Sequence, residues 1–144
     1  MKRTLTTIAL VAAVGSAAAQ MTPVGTWQTV NEKTGEISSE VRISETNGVL
    51  SGRIEKVLRK DAKPGAVCGE CADDRKDKPI TGLEIIRGVK KAEGKSVWED
   101  GTILDPENGK AYTLRLTPID GGKKLEVRGS MFGIGRTQTW TRIQ

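Results

Sequence analysis

The sequence predicts an all-β fold, a small closed antiparallel barrel of about eight or nine strands. Three observations lead there. From Gly25 onward, short runs alternate apolar and polar residues, turn residues interrupt them about every 8 to 12 positions, and no apolar stripe with helical spacing competes. A sheet with that many strands closes or splits into two packed layers, because an open edge invites pairing with other chains.

The first residues form a separate unit. Met1, Lys2 and Arg3 make a cationic start, and an apolar stretch from Leu5 to Val14 follows, broken only by Thr6 and Thr7. Ala17-Ala18-Ala19 fits the A-x-A cleavage pattern, and the apolar stretch is shorter than the roughly 20 residues of a permanent transmembrane helix. Residues 1–19 therefore read as a cleaved signal peptide, with an uncleaved anchor as the alternative, and residues 20–144 as a single barrel domain, periplasmic or secreted. No cysteine stands at the cut to accept a lipid, since the first is Cys68.

Strands are expected near 25–30, 37–45, 49–58, 82–89, 96–99, 102–105, 111–118, 124–129 and 136–143. Val41 and Ile43 alternate with Arg42 and Ser44, and Leu50 and Ile54 with Ser51, Arg53 and Glu55. Asn47-Gly48 between them tolerates positive φ and predicts a tight hairpin. Tyr112, Leu114 and Leu116 oppose Thr113, Arg115 and Thr117; Asp120-Gly121-Gly122 then turns the chain into the run of Leu125 and Val127. Asp100-Gly101 and Asp105-Pro106-Glu107-Asn108-Gly109 are read as further turns. Residues 59–81 break the rhythm as a long polar connection, the kind of loop that is functional or pinned in place.

The chain contains no histidine, which removes Ser-His-Asp and Cys-His catalysis and the histidine-containing zinc sites. Glu99, Asp100 and Asp105 flank turns, where such residues belong for conformational reasons, so no catalytic residue, metal site or cofactor is assigned. Removal of Lys2 and Arg3 lowers the net charge from +5 to +3, and both signs are interspersed, so nucleic acid is not an expected partner. Cys68-Gly69-Glu70-Cys71 leaves open a structural disulfide, a redox pair or half of a metal site. Its acidic neighbours Glu70, Asp73 and Asp74 oppose a thiolate and favour the disulfide.

Gly25-x-Trp27 opens the first strand and Trp140-x-Arg142 closes the last, which are neighbours in a closed barrel. Arg142 can therefore stack on Trp27, although both tryptophans could equally serve as plain core. Arg136, Gln138, Trp140 and Arg142 share one parity, read here as a solvated outer face. Val41, Ile43, Leu50, Ile54, Leu83, Ile85, Tyr112, Leu114, Leu116, Leu125 and Val127 are the expected interior, with Gly52 in line and leaving space.

The residues also resemble the bacterial family catalogued as "domain of unknown function 2147". The similarity rests on Gly25-x-Trp27; Gly48-x-Leu50-x-Gly52-x-Ile54; Cys68-x-x-Cys71; Lys76-Asp77-Lys78-Pro79-Ile80-x-Gly82-Leu83; Trp98-x-x-Gly101-x-Ile103-x-Asp105-Pro106-x-x-Gly109-x-x-Tyr112; Leu125-x-Val127-Arg128-Gly129; and Gly135-Arg136-Thr137-Gln138-x-Trp140-x-Arg142. This resemblance implies an exported, lipocalin-like β-barrel and no established activity. Residues 129–134 are shorter and less aromatic than the family's usual stretch.

A barrel lined by aliphatic residues points to a binding module for a small apolar or amphipathic ligand. The expected contacts are Trp27, Ile43, Leu50, Ile54, Trp98, Tyr112, Leu114, Arg136 and Trp140, with Lys76 or Lys78 of the long loop near a ligand carboxylate. The rival readings are a filled barrel acting as a structural or protein-interaction module and a thiol redox protein.

Overall fold

The computed structural model describes residues 21–144; the predicted signal peptide and the start at Gln20 lie outside the described residues. Eight strands run in sequence order: β1 (Gly25–Val30), β2 (Ile37–Thr46), β3 (Val49–Val57), β4 (Glu84–Lys91), β5 (Trp98–Asp105), β6 (Lys110–Ile119), β7 (Lys124–Met131) and β8 (Ile134–Arg142). Each pairs antiparallel with the next, and β8 returns to β1 to close the barrel. One end, the base, carries the β2–β3, β4–β5 and β6–β7 turns and both ends of the described chain. The other end, the mouth, carries residues 31–36, the long 58–83 connection, 106–109 and 132–133.

The predicted break at Asp100-Gly101 is not a turn. Residues 98–105 form one strand, in which Trp98 pairs with Leu116 and Gly101 with Leu114, so that β5 carries one residue more than β6. Asp100 takes that extra place with φ of 68°. An Asp-Gly pair suits a β-bulge as well as a turn, and only the neighbouring strands decide which forms. Eight strands result where nine were counted.

Register fixes the inner face. Trp27 pairs with Val41, Ile43 with Gly52, Gly52 with Ile86, Leu116 with Val127 and Leu125 with Trp140, so these side chains share the interior. Gly52 does not leave space there. A Cβ at residue 52 would lie 3.0 Å from Cβ and Cδ1 of Ile86, so the isoleucine already occupies the room the glycine vacates. Gly101 serves in the same way, since a Cβ there would lie 2.5 Å from Val89 Cγ2 and would also strike the Arg87 carbonyl. Interiors at crystal-like density tolerate such additions poorly.

Leu83 and Ile85, expected inside the barrel, are buried elsewhere or ambiguously. Leu83 precedes β4, and its carbonyl accepts from the Ile54 amide at 3.0 Å. Ile85 sits at an irregularity where Gly52 pairs with Ile86 and Arg53 with Glu84, so both Ile85 and Ile86 are buried in succession. The Gly101→Ala variant is expected to lose about 1–3 kcal/mol of stability by overpacking, read as a lower urea midpoint at unchanged m-value; an unchanged midpoint would contradict the packing described for Val89.

Candidate functional site

The base is sealed by two cation–aromatic contacts. Trp27 is fully buried and donates from Nε1 to the Pro23 carbonyl at 2.7 Å, while the Arg142 guanidinium lies 4.3 Å from its ring centroid. Such a contact contributes about 0.5 to 2 kcal/mol. Arg142 also donates to the carbonyls of Gly122 (2.6 Å), Val24 (2.7 Å) and Thr22 (2.5 Å), and burial pushes its pKa below the ordinary arginine value. Across the base, Lys91 Nζ stands 5.8 Å from the Trp98 ring.

Burial changes along the inner face. Trp27, Val41, Ile43, Leu50, Ile86, Val89, Leu114, Leu116 and Leu125 are sealed from solvent. Toward the mouth, the inward positions Ser39, Val57, Ile103, Tyr112, Gly129, Met131 and Gln138 are only partly buried. Solvent therefore enters the barrel from the mouth and stops about halfway. These part-buried inward positions make up the mouth-side end of the interior, called the cup below, where Val57, Ile103, Tyr112 and Met131 stand beside Ser39 and Gln138. There Gln138 accepts from Trp140 Nε1 at 3.1 Å and Thr29 shares a 2.8 Å hydrogen bond with Ser39.

The cup also has a gap in its side. Backbone pairing between β1 and β8 covers only Trp27–Arg142 and Gln28–Thr141, whereas β8 pairs with β7 from Ile134 to Thr141. Toward the mouth, β8 thus runs on past the last β1 pair. There, among the described residues, the exposed Arg136–Glu32 ion pair, at 3.4 Å, spans from β8 to the 31–36 connection.

The expected ligand contacts separate into groups. Trp27, Ile43, Leu50 and Leu114 fill the sealed half, and Trp98 lies at the base. Ile54 and Trp140 are buried below the half-exposed positions, Tyr112 lines the cup and takes a hydrogen bond from Asn108 at 3.0 Å, and Arg136 stands exposed at its rim. The face of Arg136, Gln138, Trp140 and Arg142, read from sequence as solvated, points inward. Its pairing with Gly129, Val127 and Leu125 dictates this. Sequence reasoning did not single out Val57, quoted Ile103 only within the family motif, and placed Gln138 on the face it read as solvated.

The long connection folds against the outside of the barrel. Cys68 and Cys71 form a disulfide with Cα atoms 5.4 Å apart, and both are buried in an apolar cluster with Leu104. Leu104 pairs with Ala111 on the outward parity, so its burial comes from this cover. Arg75, also buried, grips Asp73 at 2.6 Å and donates to the Glu84 carbonyl of β4 at 3.0 Å. The guanidinium hydrogen bonds hold the Asp73 carboxyl well below the usual carboxylate range. Neither loop lysine reaches the cup: Lys76 donates to the Gly69 carbonyl of its own loop, and Lys78 lines a hollow on the outer wall.

That hollow, about 260 Å³, and a neighbouring one of about 490 Å³ lie between the loop and the outer faces of β2–β4. Their chemistry is spent internally. Arg53 is bound to Glu84 (3.0 Å), Arg87 to Asp74 (2.9 Å) and Arg75 to Asp73.

The closed eight-stranded antiparallel barrel is lipocalin-like in fold. The chain belongs to the family described as "Uncharacterized protein conserved in bacteria (DUF2147)", whose model matches residues 25–142. Among solved structures it is similar to protein HP1028 of Helicobacter pylori, described as belonging to the lipocalin family. The TM-score is 0.71 at 20% identity, over 84% of this chain and 82% of that one. At that identity the likeness concerns the fold. No curated protein matches the chain.

Because the four-residue disulfide ring restrains the unfolded chain only weakly, replacing both Cys68 and Cys71 with serine is expected to leave the barrel folded at a cost of about 2 kcal/mol. Urea unfolding followed by circular dichroism checks this. Global unfolding of the double variant in buffer would show that the loop is needed for the barrel itself.

Proposed function

We propose that the protein is an exported binding module that holds the apolar part of a small amphipathic molecule in the mouth-side cup. The carrying observation is the change in burial along the inner face: sealed from Trp27 to Leu125, part-open at Val57, Ile103, Tyr112, Met131 and Gln138. Apolar walls with a few polar groups at the entrance are what such a ligand needs. Arg136 at the rim is the cation placed to meet an anionic end, in place of Lys76 and Lys78.

The filled-barrel reading has its own support in the sealed base, where Ile86 and Val89 occupy the room beside Gly52 and Gly101. A redox role is disfavoured by the burial of both sulfurs, which gives a substrate thiol no line of approach.

Titration with a medium-chain fatty acid is expected to give a saturable change in tryptophan emission that survives in Trp27→Phe and Trp98→Phe but is lost in Trp140→Phe, the tryptophan bound to half-exposed Gln138. Arg136→Gln is expected to weaken binding by about fivefold, the size of one exposed charge contact. No saturable response, with no molecule retained in native mass spectrometry, would leave the filled-barrel reading standing. Export to the periplasm is part of the same proposal. Intact mass of the exported protein is expected to correspond to a chain beginning at Gln20, and retention of Met1–Ala19 would refute the processing.

A further inference from the structure

Two hairpins of this barrel share one turn geometry and differ in chemistry. At the base, Asn47 and Gly48 turn β2 into β3 with φ of 52° and 78°. At the mouth, Phe132 and Gly133 turn β7 into β8 with φ of 52° and 77°. Positive φ at both central residues is the type I′ pattern, which selects Asn-Gly and resists a bulky side chain in the first place. Asn47 obeys that preference. Phe132 breaks it without gaining any contact, since its surface is 96% exposed. Strain held at a site with no packing return marks a functional position.

The surroundings say what the tip meets. Ile134, which pairs with Met131 directly behind the turn, is 80% exposed, and Met131 is half-buried at the rim. The apolar run Met131-Phe132-Gly133-Ile134 is bracketed by Arg128 and Arg136, and residues 127–144 contain no Asp or Glu. Among the described residues Arg128 donates to the Thr137 hydroxyl at 3.2 Å, and the Arg136 partner, Glu32, belongs to another segment. Ile37, Leu58 and Val67, also exposed, belong to the same end of the barrel.

We propose that the β7–β8 hairpin tip is a bilayer-docking element whose partner is an anionic phospholipid surface. Phe132 and Ile134 enter the acyl boundary, and Arg128 and Arg136 remain at the headgroup level, their stems along the apolar tip and their charges on phosphate. A narrow projecting tip with cations alone in its own segment fits a lipid surface better than a protein interface, whose centre is broad and poor in charge. The proposal does not require the cup to be occupied. It does place the open side of the β1–β8 seam next to the membrane.

The test is co-sedimentation of the exported protein with vesicles of equal parts phosphatidylglycerol and phosphatidylcholine, beside vesicles of phosphatidylcholine alone. Binding to the first and markedly weaker binding to the second are expected. Phe132→Asn installs the residue that the turn prefers, so its melting temperature is expected to rise while vesicle binding falls about tenfold or more. Replacing Arg128 and Arg136 together with glutamine is expected to erase the preference for phosphatidylglycerol. Wild-type protein that ignores both vesicles, or Phe132→Asn that binds as the wild type does, would overturn the proposal. A lowered melting temperature for Phe132→Asn would do so as well, by showing that Phe132 supports the fold. If the wild type ignores vesicles but a protein partner is lost on Phe132→Asn, the tip is a protein-docking element instead.

Discussion

The barrel depends on how β1 is held to β8. A closed sheet needs its first and last strands joined, yet here backbone pairing supplies only Trp27–Arg142 and Gln28–Thr141. The remaining closure comes from Arg142 and the residues after it. Its guanidinium ties the carbonyls of Thr22 and Val24, ahead of β1, to that of Gly122 in the β6–β7 turn, with the Trp27 face against it. Thr26 then exchanges backbone hydrogen bonds with Ile143 and Gln144 at 2.8 to 3.3 Å. A planar cation that donates in several directions suits this position, because each carbonyl it binds would otherwise be desolvated without a donor.

Concentrating closure at the base divides the barrel. Below, three tryptophans are too few to fill the interior, and the aliphatic side chains achieve density by interlocking with glycines: Ile86 against Gly52 and Val89 beside Gly101. Above, pairing between β1 and β8 stops at Gln28 although β1 runs to Val30 and β8 continues toward Ile134, so the wall is incomplete and inward side chains remain partly exposed. A seam paired only near the base thus goes with both the sealed half and the cup. The covering loop does not compensate, because it packs on the outer face, over Leu104 and against β4.

Much of this was legible wherever local chemistry decides. Alternation placed seven of the strands, Asn47-Gly48 specified its own turn, and the spacing of Trp27 and Arg142 at the two chain ends identified the contact that closes the base. The misread features are those settled by partners distant in sequence. Asp100-Gly101 carries the same local signal for a bulge as for a turn, and β4 and β6 on either side select the bulge. Around β8, every residue from Arg136 to Arg142 except Trp140 is polar, so alternation carries no information and the facing of that strand follows from β7 alone. The cup escaped notice because it depends on how far β1 and β8 stay paired, which neither strand reveals by itself. Gly52 likewise reads as empty space until Ile86 is known to face it.

The departures from local rules are also unevenly distributed along the barrel axis. At the base, the hairpin residue suits its dihedral angles, the aromatic rings carry cations, and the interior is dry. At the mouth stand a phenylalanine at positive φ, an apolar rim, an interrupted seam and a loop held by a disulfide. Stability arguments explain the first set and leave the second unaccounted for, since Asn at residue 132 would suit the turn better and fuller β1–β8 pairing would complete the wall. A sequence that satisfies its fold at one end and sacrifices local consistency at the other separates the two tasks in space: the base keeps the barrel closed, which frees the mouth to carry exposed and strained groups without risking the fold. Rigidity below is therefore a condition for exposure above, and the Trp27–Arg142 contact supports the mouth by holding the strands that present it.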